Sequence, residues 1–114
     1  MCGIVGYIGK NNDPRIGLEA LKRLEYRGYD SAGMAVFDDK NNSIFSQRAV
    51  GRIAELEKKV HWDKVSGSSL IMQTRWATHG APTIKNAHPH TDCTKNVYLV
   101  HNGIIENYKQ LKDK

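Results

Sequence analysis

The residue best suited to covalent chemistry in this sequence is Cys2, which directly follows the initiator Met1. Methionine removal is efficient when the second residue is small, so processing would leave a cysteine at the N-terminus. An ionised thiol is a strong nucleophile, and an α-amine is a base that titrates near neutral pH. One residue can therefore supply both the nucleophile and the general base of an acyl-transfer site. The alternative is that Cys2 is a small apolar residue on a first strand, since buried cysteines usually only pack.

Length and composition place the chain among ordinary single-domain proteins. It has 114 residues, of which 39% are apolar and 25% are charged. These values are typical of a soluble globular domain. No stretch approaches the ~18 consecutive apolar residues of a membrane span, and no leader resembles a signal peptide. We therefore expect a cytoplasmic protein that binds no membrane.

The charge distribution argues against a nucleic-acid-binding protein, and the cysteine content argues against a disulfide-bonded one. The net charge is +5, but the lysines are scattered along the chain. No aromatic–basic pattern accompanies them, so a solvated basic surface is favoured over a nucleic-acid interface; an anionic small substrate fits the charge equally well. One disulfide between Cys2 and Cys93 is disfavoured by a cytosolic location and by a chemical role for Cys2.

The elements that must position Cys2 are short strands and helices without a regular βαβ order. Strands are predicted at 4–8, 32–37, 43–48, 69–73 and 97–100, where apolar or alternating segments lie between turn residues. Helices are predicted to begin at Asp13-Pro14, after Gly51 and at Glu106. Because the strand pairs are expected to be antiparallel, the predicted fold class is α+β.

The apolar spacing predicts which helix faces are buried. The first helix should bury Ile16, Ala20, Leu21 and Leu24, and the second should bury Ile53, Leu56 and Val60. The segment 77–94 is rich in Gly, Pro, His, Asn and Thr and is predicted to be irregular. A loop of that length in a compact domain usually has a function.

Five separate segments carry a family resemblance. They are MCGIVG at 1–6, EYRGYDSAG at 25–33, TRWATHG at 74–80, NAHPH at 86–90 and HNGIIEN at 101–107. In this order they resemble the N-terminal glutaminase domain of the glutamine–fructose-6-phosphate aminotransferases, which are N-terminal-nucleophile glutamine amidotransferases. The resemblance extends from Met1 to about Tyr108. It implies an N-terminal-nucleophile hydrolase fold, an αββα sandwich, of which this chain would hold the first part.

The resemblance also implies catalytic roles. Cys2 would attack the side-chain amide of glutamine, and its own amine would move the proton through a water. Asn102, by its side-chain amide, and Gly103, by its backbone N–H, would form the oxyanion hole. Such donors typically contribute about 3–4 kcal/mol each to transition-state stabilisation. Taken alone, Asn-Gly is an ordinary hairpin-turn signal.

Glutamine itself would be held by the TRWATH segment. Arg75 would bind the α-carboxylate with a bidentate guanidinium; the alternative for this arginine is a surface ion pair. Trp76, Thr78 and His79 would belong to a mobile loop that closes over glutamine and excludes water. The alternative for the tryptophan is core packing.

Three further residues would have supporting roles by the same resemblance. Arg27 and Asp30 would brace the N-terminal cysteine, and His88 would order the loop that closes the site. The His-Pro-His run near Cys93 invites a zinc interpretation. The resemblance implies neither a metal nor another cofactor.

In the resembled family the domain contains more than this chain does. It continues past Lys114 to a segment like Thr-Asp-Thr-Glu, whose aspartate binds the α-amine of glutamine, and separate isomerase domains bind fructose 6-phosphate. We therefore expect residues 1–114 to be the N-terminal portion of a glutaminase domain, inactive alone, from a homo-oligomeric parent. The parent would use ammonia from glutamine to convert fructose 6-phosphate to glucosamine 6-phosphate.

Two alternatives stay open on the sequence alone. One is another N-terminal-cysteine amidotransferase, such as a phosphoribosylamine- or asparagine-forming enzyme. Those relatives tend to differ at the Tyr-Asp-Ser-Ala-Gly and Trp-Ala-Thr-His positions, which favours the fructose-6-phosphate branch. The other alternative is a basic α+β binding module in which Cys2 is incidental.

Overall fold

A four-stranded antiparallel sheet organises the chain, and its strand order is β1-β4-β2-β3. The computed structural model describes residues 2–28, 30–76, 83–103 and 105–113. The four strands are β1 Gly3–Ile8, β2 Ser31–Asp38, β3 Ser43–Val50 and β4 Ser69–Arg75, and a hairpin of β5 His90–Thr91 with β6 Tyr98–Leu99 follows. The helices are α1 Arg15–Lys22, α2 Ile53–Lys59 and α3 Tyr108–Lys112, with 3-10 turns at Glu25–Arg27 and Trp62–Lys64. None of the helices in these ranges is long and apolar enough to cross a membrane.

The predicted strands and helices are all present in the structure, and their predicted ends differ from the observed ones by at most two residues. The prediction that 77–94 is wholly irregular is wrong, because His90–Thr91 pairs with Tyr98–Leu99. This pairing depends on a partner strand outside the segment. The Gly, Pro and Asn content of 77–94 therefore does not reveal it.

The predicted buried face of α1 is also partly wrong. The helix buries Gly17, Leu18 and Leu21, whereas Ile16 is 39% exposed. A Cβ added to Gly17 would lie 2.7 Å from a Leu70 methyl group. The helix therefore approaches the sheet through its glycine, a contact that apolar periodicity cannot indicate.

The hydrophobic core lies between α1, α2 and one face of the sheet. The strand residues that share it are Ala32, Met34, Val36, Ala49, Leu70 and Met72. Ile53 and Leu56 of α2 and Val60, directly after it, are all buried, as predicted. Full burial of one such side chain contributes about 1.5–3 kcal/mol, whereas the ion pairs between exposed side chains contribute little. This helix layer therefore fixes the sheet.

The second face of the sheet carries an open apolar groove of about 420 Å³, lined by residues that include Gly6, Ala35, Phe37 and Ile71. Ile8, at the end of β1, is 85% exposed. The described residues thus form one helix layer on one sheet layer. That arrangement corresponds to the first half of an αββα sandwich.

One segment crosses the second face very close to β2. A Cβ on Gly33 would lie 1.7 Å from the His88 carbonyl oxygen, and Arg48 Nη1 donates to the Ala87 carbonyl at 3.2 Å. Gly33 is also the register partner of Gln73 on β4. Only a glycine permits this approach, which brings His88 next to the end of β4.

Substitution of Gly33 tests this crossing. We expect Gly33→Ala to lower the free energy of unfolding by about 3 kcal/mol, the upper end of the range for overpacking, because the added methyl group meets backbone rather than a side chain that can turn away. Gly6→Ala is the matched control on the same sheet, since a Cβ there meets nothing within 4 Å. Chemical denaturation of both variants in the complete protein measures the difference. Equal free energies of unfolding for the two variants would contradict the close approach of the His88 backbone to Gly33.

Candidate active site

Strand register places Cys2 at the end of β4. Gly3 at the start of β1 pairs with Thr74 near the end of β4, and both face the helices. Cys2, one residue earlier, therefore lies opposite Arg75 on the second face of the sheet. The Cys2 thiol donates to the Trp76 carbonyl with an Sγ–O distance of 3.9 Å.

Two side chains hold the backbone of Cys2. Arg27 Nε donates to the Cys2 carbonyl at 3.2 Å, and Asn102 Nδ2 donates to the same oxygen at 3.1 Å. Arg27 comes from a 3-10 turn and Asn102 from the segment after β6, so two distant parts of the chain meet at this carbonyl. Contact between Arg27 and Cys2 is consistent with the bracing role that the resemblance implies.

Asn102 is oriented in turn by a residue that sequence reasoning missed. Gln73 Nε2 donates to Asn102 Oδ1 at 2.7 Å and to the His101 carbonyl at 3.0 Å. Gln73 is 1% exposed. The only signal for it in the sequence is a polar side chain directly after the apolar run 70–72 of β4.

Gly103 has a backbone conformation that favours glycine. Its φ is +121°, in the left-handed region where a side chain would be strained. The space around it is open, because an added Cβ would come no closer than 3.6 Å to His101. Backbone conformation rather than crowding thus explains a glycine after Asn102.

Five of the predicted site residues, Cys2, Arg75, Trp76, His88 and Gly103, line one cleft of about 290 Å³. Its lining residues are Cys2, Arg75, Trp76, Asn86, His88, His90, Leu99, His101, Gly103, Ile105 and Tyr108. An adjoining cavity of about 260 Å³ is lined by residues that include Cys2, Arg27 and Asn102. The larger groove on the open sheet face contains none of the predicted site residues. The cleft and the adjoining cavity around the thiol, rather than the larger groove, are therefore the candidate active site.

The end of β4 is fixed to the loop before β2. Asp30 N–H donates to the Arg75 carbonyl at 3.0 Å, and the Asp30 carbonyl accepts from Gly51 N–H at 2.8 Å. The Thr74 hydroxyl donates to the Gly28 carbonyl, and a Cβ on Gly28 would lie 2.5 Å from the Arg75 carbonyl carbon. These backbone contacts hold Arg75 rigidly beside Cys2.

Arg75 does not fit the alternative of a surface ion pair, and Trp76 does not fit the alternative of core packing. Arg75 is 8% exposed, so it is not a surface arginine, and Trp76 is 41% exposed, so it is not a core residue. Both line the cleft. Thr78 and His79, the other two predicted glutamine-binding residues, lie outside the described residues.

Burial and neighbouring cationic side chains lower the pKa of two histidines in the cleft, His88 and His90. The pKa of His88 is lowered to about 4, first by burial and then, in decreasing order, by electrostatic interaction with His90, Arg75, His101 and Arg48. Burial, then Arg48 and Arg75, also lowers the pKa of His90. The neutral His88 ring accepts the His101 N–H at Nδ1, 3.4 Å away, and its centroid lies 4.3 Å from that of His90.

The zinc interpretation finds no support in the described part of the chain. There, no group of three or more His, Cys, Asp or Glu side chains is arranged to hold a metal ion. Both cysteines are free, with Cys2 partly buried and Cys93 exposed. The described arrangement is instead a thiol beside an amide donor, a glycine N–H and a guanidinium. Such a set can carry out acyl transfer on a substrate that bears a carboxylate.

Known proteins of similar sequence are amidotransferases. No protein-family model matches the chain. The chain is 54% identical over 112 residues to the glutamine–fructose-6-phosphate aminotransferase (isomerizing) of Pyrococcus horikoshii, and 56% identical over 113 residues to that of Acinetobacter baylyi. The alignments cover 98% and 99% of this chain. The chain spans 18% of the length of each of these relatives.

Solved structures of similar fold belong to the same broad class. The chain matches the glutamine phosphoribosylpyrophosphate amidotransferase of B. subtilis, complexed with ADP and GMP, with a TM-score of 0.80 and 28% identity. It matches a structure described as the allosteric regulatory enzyme of purine biosynthesis with a TM-score of 0.82 and 28% identity. Each match covers 99% of this chain and 24% of the other. The predicted fold class and the resemblance to the aminotransferases are both confirmed.

The neutral state of His88 predicts a pH dependence of stability. The unfolded imidazole takes up a proton at its ordinary pKa of 6.5 and the folded one at about 4. The unfolded state therefore binds more protons between these values, and the free energy of unfolding falls as pH is lowered from about 6.5 to about 4. His88→Asn retains a hydrogen-bond acceptor that does not titrate. We therefore expect the free energy of unfolding of this variant to fall less as pH is lowered. Thermal unfolding of the complete protein across this range measures it.

The matched control for this measurement is His61→Asn, which removes an exposed histidine outside the cleft. It should leave the pH dependence as in the wild type. His90 titrates in the same direction as His88, so some dependence should persist in His88→Asn. If stability depended on pH identically in His88→Asn and in the wild type, His88 would not contribute to the pH dependence.

Proposed function

We propose, from the match to the N-terminal part of the glutamine–fructose-6-phosphate aminotransferases, that residues 1–114 form the first portion of a glutaminase domain. Cys2 is the nucleophile in this proposal, and glutamine is the substrate. The observation that carries it is the convergence of Cys2, Arg75 and Gly103 on one cleft, with Asn102 bonded to the Cys2 backbone.

The first step is addition of the thiol to the glutamine side chain. Once Met1 is removed, the free amine of Cys2 accepts the thiol proton through a water, and sulfur bonds to the amide carbon. The carbonyl oxygen then becomes negatively charged. Asn102 carries two Nδ2 hydrogens, and one of them goes to the Cys2 carbonyl. The second, together with the Gly103 N–H, stabilises this oxyanion.

The second step releases ammonia. The carbon–nitrogen bond breaks, the nitrogen takes the proton held by the Cys2 amine, and a γ-glutamyl thioester remains on Cys2. Water then adds to the thioester carbon and gives up a proton to the amine. The carbon–sulfur bond breaks, glutamate leaves, and the proton returns to the thiol.

Arg75 and its surroundings position the substrate. Its guanidinium binds the α-carboxylate of glutamine, and the neighbouring charges that lower the pKa of His88 and His90 make the same cleft attractive to an anion. Trp76, Thr78 and His79 close over the bound glutamine. Excluding water in this way favours transfer of ammonia over its loss.

In the complete protein, ammonia converts fructose 6-phosphate to glucosamine 6-phosphate in the cytoplasm, and the protein is a homo-oligomer. We choose fructose 6-phosphate as the acceptor because the curated aminotransferases are 53–56% identical to this chain. The solved phosphoribosylpyrophosphate amidotransferase is only 28% identical. A basic binding module gives no reason for two side chains to hold the Cys2 carbonyl.

A glutaminase assay of the complete protein, with Met1 removed, tests the proposal. We expect glutamine hydrolysis to rise when fructose 6-phosphate is added, and Cys2→Ala to reduce it below about a thousandth of the wild-type rate because the nucleophile is gone. Cys93→Ala is the matched control, since this exposed cysteine should be dispensable.

The two parts of the proposal fail separately in this assay. Hydrolysis that survives Cys2→Ala would overturn the nucleophile. Hydrolysis that depends on Cys2 but is indifferent to fructose 6-phosphate would overturn the acceptor and leave the nucleophile standing.

A further inference from the structure

Gln73 is a buried amide that the mechanism above does not use. Its side chain is 1% exposed and lies on β4, two residues before Arg75. Both of its N–H groups point toward the site, one to Asn102 Oδ1 at 2.7 Å and one to the His101 carbonyl at 3.0 Å. Gln73 therefore contacts the residue proposed to stabilise the oxyanion.

The orientation of both amides is determined by the carbonyls at the two ends of this hydrogen-bond chain. A backbone carbonyl can only accept a hydrogen bond. The His101 carbonyl therefore requires the NH₂ end of Gln73, and the Cys2 carbonyl requires the NH₂ end of Asn102. The remaining contact, from Gln73 Nε2 to Asn102 Oδ1, then joins a donor to an acceptor.

A buried glutamine is a poor choice for packing alone at this position. Within the described part of the chain, Gln73 Oε1 is buried and has no hydrogen-bond partner. An unsatisfied buried acceptor destabilises the folded state, whereas an apolar side chain of the same length would not. The position therefore favours an apolar residue for stability, and the two donated bonds remain as the reason for an amide.

We propose that Gln73 is a positioning residue that holds the Asn102 amide with its NH₂ group toward Cys2. This inference rests on the proposed function and deepens it. Without the Gln73 donor, the Asn102 amide keeps only its hydrogen bond to the Cys2 carbonyl, and its second N–H is held less firmly toward the developing oxyanion. Gln73 thereby acts on the reaction through Asn102 without touching glutamine.

Gln73→Met in the complete protein tests the proposal, because methionine keeps the length and removes both donors. We expect kcat for glutamine hydrolysis to fall by about 10- to 100-fold, less than the roughly 10²- to 10³-fold of a lost oxyanion donor. The KM for glutamine should change by less than about twofold, because the interaction matters in the transition state. The thermal midpoint should be unchanged or higher.

Gln47→Met is the matched control. Gln47 lies on β3 in the same sheet, opposite Met34 in the register. Among the described residues, its amide donates only to the neighbouring Arg48 carbonyl. We expect this variant to keep the wild-type kcat. An equal loss in both variants would show a general effect on the sheet and overturn the proposal.

Combination with Asn102→Ala separates positioning from a purely structural role. If Gln73 acts through Asn102, Gln73→Met should cost no further activity in the Asn102→Ala background. Multiplicative losses would overturn the proposal, as would a wild-type kcat in Gln73→Met alone. If Gln73→Met does not fold, Gln73→Glu, of equal size, enters the same cycle. A wild-type protein without glutaminase activity would instead contradict the proposed function.

Discussion

The antiparallel pairing of β1 with β4 is the constraint on which the site depends. Gly3 opposite Thr74 brings Cys2 opposite Arg75 and directs both to the face away from the helices. Because side chains alternate along a strand, a slip of one residue would turn Cys2 toward the hydrophobic core. The buried side chains of α1, α2 and the sheet stabilise this register. Core packing thus determines where the reactive thiol lies.

Hydrogen bonds between amides and carbonyls connect the sheet to the residues of the cleft. Gln73, inside β4, fixes Asn102, and Asn102 holds the Cys2 carbonyl. Arg27, at the end of the 3-10 turn Glu25–Arg27, donates to the same carbonyl. In the proposed mechanism, the groups with direct chemical roles line the cleft and the adjoining cavity, while the buried Gln73 side chain orients one of them, Asn102. A rigid interior that supports the reacting groups is a general requirement of preorganised sites.

Much of this arrangement was predictable, since strand patterns, the α2 face and the five motifs depend on local sequence. The features that could not be predicted are contacts between separate segments of the chain. Gly17 faces the sheet because of a close approach to Leu70, and Gly33 admits the His88 backbone. Gln73 is informative only once His101 and Asn102 are seen beside it. Apolar periodicity assigns glycine and glutamine no such role.

The central claim is that Cys2 is an N-terminal nucleophile selective for glutamine. The most direct test is mass spectrometry of the complete protein after exposure to a glutamine analogue with an electrophilic carbon in place of the side-chain amide. The account predicts that Met1 is absent, that one label is attached to Cys2, and that excess glutamine prevents labelling. Cys93 should stay unmodified although it is the more exposed thiol. Retention of Met1, or equal labelling of both cysteines, would contradict the claim.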